Sequence, residues 1–116
     1  MLINLSNHPF SSWPENQQQA AIKQYGEVTD LPFPHIDPSA DHDQVLMLAE
    51  DHLSKIRKMP PATVHLMGEL TFCFILAGLL RKDGIPCVSS TTRREVVMHH
   101  NVKTAVFEFV KFRPYY

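Results

Sequence analysis

The stretch PATVHLMGELTFCFILAGLLRKDGIPCVSS, residues 61–90, decides the fold class of this chain. Its apolar run at residues 62–67 predicts a buried strand that breaks at a glycine. Residues 70–82 are apolar nearly all round, which predicts a helix covered on more than one face. An Asp-Gly pair ends that helix, and residues 86–90 predict the next strand. Strand, helix and strand in this order predict a right-handed crossover between parallel strands.

The chain before this stretch also alternates between strand and helix. Residues 2–5 predict a short buried strand, and residues 12–25 predict a helix that opens with the spacing of a capping box. Residues 27–31 predict the second strand. Apolar residues then recur at i, i+3, i+4 and i+7 between residues 45 and 56, which predicts a second helix. Asp41 and Gln44 have the spacing of its capping pair.

The C-terminal tail changes character. Residues 96–98 and 104–112 are strand-like segments around a polar turn at residues 99–101, which predicts a β-hairpin. The complete order is therefore β-α-β-α-β-α-β-β. It predicts an α/β fold, with a single Rossmann-like, doubly wound domain over residues 1–116. The sheet is expected to be mainly parallel, with a C-terminal antiparallel hairpin.

Composition and charge limit the classes of function. The 116 residues are 44% hydrophobic and 20% charged, which is typical of one globular domain. The net charge of −1 argues against binding to duplex nucleic acid but permits a small anionic ligand. The amino terminus lacks the basic region of a signal peptide and no apolar run could span a membrane, so we expect a cytoplasmic protein. Neither a metal nor another cofactor is expected, because the cysteines and histidines lack ligand spacing.

Three polar loops directly follow predicted strands. In a doubly wound sheet, ligands bind beyond the carboxyl ends of the strands, at the point where the strand order reverses. If the order is flavodoxin-like, the first and third strands flank that point and the three loops meet there. The loop residues that we expect to contact a ligand are Ser6, Asn7, Gly68, Thr71, Ser90, Thr91 and Thr92.

The chemistry of these loops favours a phosphate-bearing nucleotide. Gly68 lets a ligand approach the first turn of the third helix, where backbone N–H groups and the helix dipole favour an anion. Hydroxyls at residues 89–92 precede Arg93 and Arg94, and a guanidinium group can bind phosphate bidentately. The alternative is structural: a tight turn at Gly68, a favourable interaction of Glu69 with the helix dipole, a helix cap at Thr71, and a polar edge strand.

Only one of the two arginines is expected to face the site, because alternate residues of a strand point to opposite faces. Arg93 is chosen on this ground because it lies nearer the strand end. His8 ends the first strand, and a histidine there can transfer a proton near neutral pH or lie in solvent. His65, in the middle of a strand, and His52, on an apolar helix face, are expected to belong to the core.

The same segments resemble small stand-alone CARF-like proteins. The shared features are S-N-H after the first strand, H-x-M-G-E-x-T-F around the third strand, and G-I-x-C-V-x-S-T-T-x-R at the fourth strand. CARF stands for CRISPR-associated Rossmann fold, and these proteins accompany type III CRISPR systems in antiviral defence. The resemblance covers most of the chain. Its S-T-T-x-R spacing points to Arg94, so Arg93 and Arg94 both stay candidates.

The resemblance implies binding of a cyclic oligoadenylate, a tetra- or hexa-adenylate, across the two-fold axis of a homodimer. It also implies ring-nuclease activity, in which a ribose 2′-OH attacks the adjacent phosphate without a metal. The residues implied in that reaction are His8, Glu69, Arg93 and Arg94. Apolar surface on the third helix favours the homodimer independently. Three alternatives remain open: a ring nuclease, a non-catalytic sensor or sponge of cyclic oligoadenylate, and an unrelated Rossmann-like nucleotide-binding or interaction protein.

Overall fold

A computed structural model of the chain describes residues 1–116. Its strands and helices alternate as the sequence predicts. In chain order they are β1 (Leu2–Ser6), α1 (Glu15–Tyr25), β2 (Val28–Asp30), α2 (His42–Arg57), β3 (Thr63–Met67), α3 (Leu70–Lys82), β4 (Cys87–His99) and β5 (Val102–Pro114). A short 3-10 helix at Phe10–Ser12 precedes α1. β4 is also continuous over Cys87–His99, whereas the sequence pattern marked only residues 86–90 and 96–98 as strand-like in this region.

The five strands form one mixed sheet in the order β2-β1-β3-β4-β5. The first four run parallel, and β5 is antiparallel to β4. Every residue of β1 pairs with β3, from Leu2 opposite Thr63 to Ser6 opposite Met67. The predicted doubly wound, Rossmann-like fold is confirmed, and its strand order reverses between β1 and β3.

Helices cover both faces of the sheet, because alternate strand residues point to opposite sides. One apolar cluster joins α2 and α3 to the face that carries Ile3, Leu5, Val64 and Leu66. The other joins α1 and β5 to the opposite face, through Leu2, Trp13, Ala21, Val88, Phe109 and Phe112. Asn4 and His65 also point to the α1 face by this alternation, and they are two of the three buried polar residues of the chain.

The helix starts show which capping predictions hold. α2 begins with a capping box in which Asp41 and Gln44 each bond the other's backbone, as predicted. The capping box predicted for Ser12 and Glu15 is wrong, because Pro14 occupies the N-cap of α1. The Ser12 hydroxyl instead donates to a carbonyl of the preceding 3-10 turn, at 2.8 Å.

β4 and β5 continue past the other strands as a two-stranded ribbon. β3 pairs with β4 at only two positions, whereas β4 and β5 pair along nearly their whole lengths. Residues 96–98 pair with residues 103–105, so the predicted hairpin is confirmed. His100 and Asn101 form its turn with φ angles of 49° and 63°, the positive values that a two-residue type I′ turn requires.

Candidate functional site

A cavity of about 500 Å³ opens at the carboxyl ends of β1 and β3, beside the part of β4 that continues past them. It lies at the reversal of strand order, where doubly wound sheets bind their ligands. The start of α1 closes one side of it. Its lining consists of Ser6, Asn7, His8, Ser12, Trp13, Pro14, Gln17, His65, Met67, Gly68, Ser90 and Thr92.

The structure brings part of the predicted site together. Six of the eleven residues line the cavity: Ser6, Asn7, His8, Gly68, Ser90 and Thr92. The remaining five lie outside its lining: Glu69, Thr71, Thr91, Arg93 and Arg94. The three polar segments therefore converge as expected, but residues 89–92 lie within β4 and not in a loop, and the charged groups do not converge with them.

Glu69 and Thr71 make a local cap at the start of α3. The Glu69 carboxylate accepts from the backbone N–H of Phe72 at 2.8 Å and from that of Thr71 at 3.1 Å, and the Thr71 hydroxyl donates to it at 2.7 Å. These hydrogen bonds, that from Phe72 first, lower the pKa of the Glu69 carboxyl. The helix start is therefore already occupied by an anion of the protein itself, so the structural alternative describes this loop, except that Glu69 and not Thr71 is the capping residue.

Thr91 and the two arginines lie on the ribbon. The Thr91 hydroxyl donates to the carbonyl of Lys111 and accepts from its N–H, beside a bulge in the β4–β5 pairing. Thr92 lines the cavity, so alternation along β4 places Arg94 on the cavity face and Arg93 on the opposite face. Both arginines are exposed. This geometry favours Arg94 over Arg93, in contrast to the selection made from nearness to the strand end.

Gly68 is required by its contact with Phe33. A Cβ at this position would lie 2.3 Å from a carbon of the Phe33 ring, well inside van der Waals contact. Phe33 in turn packs edge to face on Phe72, with ring centroids 5.1 Å apart. The sequence suggested that this glycine admits a ligand, and the structure gives it a packing role at the cavity edge.

Replacing Gly68 with alanine is expected to destabilise the protein by about 1–3 kcal/mol, because the Phe33 ring must move out of a packed position. Gly78 is the matched control: it lies inside α3 with nothing within 4 Å of its added Cβ. Alanine there is expected to stabilise the helix by about 0.5–1 kcal/mol. Urea unfolding measures both changes, and an equal effect of the two substitutions would contradict this account of Gly68.

A chain of hydrogen-bonded polar side chains lies beneath the cavity. Its centre is Asn4, in the middle of β1 and 2% exposed. Asn4 Nδ2 donates to the carbonyl of His8 at 2.9 Å and to Asp30 Oδ1 at 2.8 Å. Asn4 Oδ1 accepts from the Ser6 hydroxyl at 2.7 Å and faces His65 Nδ1 at 3.0 Å. All four hydrogen-bonding positions of the amide are therefore used.

These partners determine which nitrogen of His65 carries hydrogen. The carbonyl of His8 and the carboxylate of Asp30 only accept, so the amide nitrogen of Asn4 faces them. The amide oxygen therefore faces His65, whose Nδ1–H donates to it. His65 Nε2 is left with a free lone pair and lies 2.7 Å from Ser90 Oγ, so the Ser90 hydroxyl donates to the ring.

Burial keeps the His65 ring neutral. It is 1% exposed, and Trp13 and Phe112 contact it edge-on, with ring centroids at 4.9 and 5.7 Å. Desolvation lowers the pKa of His65 to about 4. The ring is therefore in its basic form at neutral pH.

The same hydrogen bonds hold the loop that follows β1. The carbonyl of His8 accepts from Asn4 Nδ2 at 2.9 Å and from Trp13 Nε1 at 3.1 Å. Two donors on one carbonyl, which has two lone pairs, fix the backbone of His8 at the cavity wall. On the far side, Gln17 Nε2 of α1 donates to Ser90 Oγ at 3.0 Å.

Sequence reasoning missed the part that Asn4, His65 and Gln17 play in the site. A signal was present: β1 and β3 each carry one polar residue at the centre of an apolar strand, and Asn4 and His65 are direct partners in the β1–β3 register. A buried polar residue needs a partner, so two in neighbouring strands indicate a shared network. Gln17 gave no such signal, because a glutamine in a polar helix is ordinary surface.

Fold and cavity together define a Rossmann-like α/β protein with a polar cavity at the switch point of its sheet. The chain belongs to the Uncharacterized protein MJ1673 family, whose profile matches residues 1–113. No curated protein and no solved structure matches the chain. None of its helices has the length and apolar character needed to cross a membrane.

Proposed function

We propose that this cavity binds a cyclic oligoadenylate across a homodimer and cleaves it by metal-independent attack of a ribose 2′-OH. The observation that carries the proposal is the convergence of three polar segments, two of them after strand ends and one within β4, on one cavity at the strand-order reversal. Hydroxyl, amide and imidazole groups there are suited to the edges of a base, to ribose and to phosphate oxygens. Such an activity would switch off CRISPR signalling, as the resemblance to CARF-like proteins implies.

The size of the cavity supports a shared site. At about 500 Å³ it lies within the range of roughly 300–1,000 Å³ that suits a drug-sized ligand. A cyclic tetra- or hexanucleotide is larger, and it has rotational symmetry. Two cavities related by a two-fold axis would match both its size and its symmetry.

Phosphate binding would use Arg94, which follows Thr92 on the cavity face of β4. A guanidinium there would approach the ligand from the ribbon, above the cavity. Proton transfer would fall to His8, because this residue lines the cavity and its backbone carbonyl is held by two hydrogen bonds. The carboxylate of Glu69 is engaged in its cap, which weakens the case for it as the base.

A non-catalytic binder of the same ligand is the second candidate. The occupied Glu69 carboxylate favours it, since one of the two predicted proton-transfer groups is already used by the fold. The two candidates differ only in whether the ring is returned intact.

The deciding experiment is incubation of the protein with radiolabelled cyclic tri-, tetra- and hexa-adenylate in EDTA, with bound and cleaved species resolved separately. Ring opening to 2′,3′-cyclic phosphate products in EDTA supports the nuclease. Tight binding with intact ring after hours supports the sensor or sponge. Absence of binding to all three rings would overturn the proposal.

The two arginines provide a matched pair of variants. Arg94→Ala is expected to weaken binding of the ring by roughly ten- to hundredfold, the loss of about 1.5–3 kcal/mol for a charge-assisted hydrogen bond. Arg93→Ala is expected to cost less than about 1 kcal/mol, because an exposed charge on the opposite face contributes little. Isothermal titration measures both affinities. Equal affinities of the two variants and the wild type would leave Arg94 without a role in binding.

The homodimer has its own test on α3. Leu70 and Phe74 are 83% and 82% exposed there, and a second copy of the chain would bury them. Light scattering is expected to give the mass of a dimer at micromolar concentration, and Phe74→Lys is expected to give a monomer. Met47→Lys, at a methionine of α2 that is 70% exposed, serves as the control and should stay dimeric. A monomeric wild type would remove the shared site.

A further inference from the structure

We propose that Ser90 is an activated serine nucleophile, that His65 is its general base, and that the cavity hydrolyses small carboxylic esters. This activity goes beyond nucleotide binding and holds whether or not a cyclic nucleotide binds. The Ser90–His65–Asn4 arrangement is called the triad below.

The triad has the geometry of a nucleophile, a base and a group that orients the base. Ser90 Oγ lies 2.7 Å from His65 Nε2, and His65 Nδ1 lies 3.0 Å from Asn4 Oδ1. The three residues come from the adjacent strands β4, β3 and β1, so the sheet itself holds them in line. These are the contacts by which nucleophilic serines are recognised on unrelated folds.

The orienting group works here although it is an amide. An amide in this position fails when its nitrogen turns toward the imidazole and enforces the wrong tautomer. Asp30 and the carbonyl of His8 prevent that turn, because both accept from Asn4 Nδ2. His65 therefore keeps hydrogen on Nδ1 and offers Nε2 to Ser90.

The nucleophile is open to the cavity while its base is covered. Ser90 is partly exposed and lines the cavity, and His65 is buried behind it. Gln17 Nε2 lies 3.0 Å from Ser90 Oγ, so an N–H donor stands beside the point of attack, where it can bind a developing oxyanion. Trp13 and Met67 supply apolar wall for an acyl group.

The reaction proceeds through an acyl-serine. Ser90 Oγ attacks the ester carbonyl carbon as its proton passes to His65 Nε2, and the carbonyl electron pair moves onto oxygen. Collapse of this intermediate breaks the carbon–oxygen bond to the alcohol, which leaves with the proton from Nε2. Water then attacks the acyl-serine, giving a proton to Nε2, and the bond to Oγ breaks as that proton returns to Ser90. The products are one carboxylic acid and one alcohol.

The charged and titratable groups around His65 are few. His8 lines the same cavity, and Asp30 reaches the ring through Asn4. Trp13, before α1, and Phe112, on β5, cover the ring without titrating near neutral pH. Because burial lowers the pKa of His65 to about 4, the ring is unprotonated at pH 6 and above and can accept the proton of Ser90.

The test is covalent labelling of the full chain by a small phosphonofluoridate, located by mass spectrometry of peptides. Ser90 Oγ displaces fluoride at phosphorus, and its proton leaves through His65. Activation by the imidazole predicts a labelling rate that is flat between pH 6 and 8. A hydroxyl without a base reacts through its alkoxide, so its labelling rate rises tenfold per pH unit. This pH profile is measured on the wild-type protein alone.

Two variants and a control complete the test, with turnover of 4-nitrophenyl acetate as the second readout. Ser90→Ala removes the label and the turnover, and His65→Gln lowers both about hundredfold or more. Ser89→Ala, one residue earlier and outside the cavity lining, leaves both unchanged. No adduct at Ser90, a rate that rises tenfold per pH unit, or full labelling of a folded His65→Gln protein would each overturn the proposal. Failure of cyclic oligoadenylate to bind has no bearing on these results.

Discussion

Replacing Asn4 with aspartate is expected to destabilise the protein by about 3 kcal/mol or more at pH 7, although the change replaces only an NH₂ group with oxygen. The new carboxylate lies at a site that is 2% exposed in the wild type. It faces the Asp30 carboxylate and the carbonyl of His8, which both accepted hydrogen from the amide at 2.8 and 2.9 Å. Two favourable contacts therefore become repulsive. Guanidinium unfolding of the two proteins measures the loss.

The pH dependence of this variant identifies the cause. Close carboxylates raise the pKa of the pair, because both cannot ionise at low cost. A carboxyl group whose pKa is raised in the folded protein destabilises the fold above that pKa, and the destabilisation disappears once the group is protonated. The difference in the free energy of unfolding between wild type and Asn4→Asp should therefore become smaller as the pH falls from 7 to 5. A deficit that stays constant with pH would indicate a packing defect instead.

The reciprocal exchange is the control. In the double variant Asn4→Asp/Asp30→Asn, an amide nitrogen at position 30 can donate to the carboxylate at position 4. The two substitutions are expected to couple favourably by about 1–3 kcal/mol. Additive effects would show that the contact between these two side chains is not what stabilises β1 against β2.

The fold was predictable from sequence because its signals are local and periodic. The apolar runs of β1 and β3, the heptad-like face of α2 and the Asp41–Gln44 cap each specify one element. The right-handed crossover rule then leaves few topologies for elements in this order. The continuity of β4 was not predictable, since its polar middle at residues 91–95 interrupts the apolar pattern that marks a strand.

The candidate site was predictable only in its location. The strand-end rule identified the polar segments that converge, including Ser6, His8 and Ser90. It did not say which side chains point into the cavity, because that depends on strand register and on bonds made elsewhere. The Glu69 carboxylate, for example, accepts hydrogen bonds from the Thr71 hydroxyl and from the N–H of Phe72 at the start of α3, and the sequence alone does not show that these groups bind each other and not a ligand.

The polar network links stability to the site. Asn4 and His65 lie buried in the sheet, and each is one of the other's hydrogen-bond partners. Their bonds reach the cavity at Ser90 and the loop at His8. Substitution of Asn4 or His65 is therefore expected both to lower the stability of the fold and to disturb the geometry of the cavity.

Acidification from pH 7 to pH 4 is expected to remove about 3 kcal/mol of stability through His65 alone. Its pKa is about 4 in the folded protein, whereas an unfolded histidine titrates near 6.5, and each unit of difference corresponds to about 1.4 kcal/mol. Because the folded-state pKa is the lower one, this contribution is complete above pH 6.5 and is lost as the pH falls toward 4. Unfolding binds a proton throughout that window.

His65→Gln separates this contribution from the rest of the acid response. The carboxyls of Asp37, Glu69 and Asp83 also have lowered pKa values, so they weaken the fold as they protonate, but they do so mainly below the window of the histidine. Both proteins share them. The free energy of unfolding, measured by urea at half-unit steps from pH 7.5 to 4, should slope upward with pH in the wild type and be much flatter in the variant between pH 4.5 and 6.5. Parallel curves would mean that His65 has the same pKa in the folded protein as in the unfolded chain, and burial would then not hold its ring neutral.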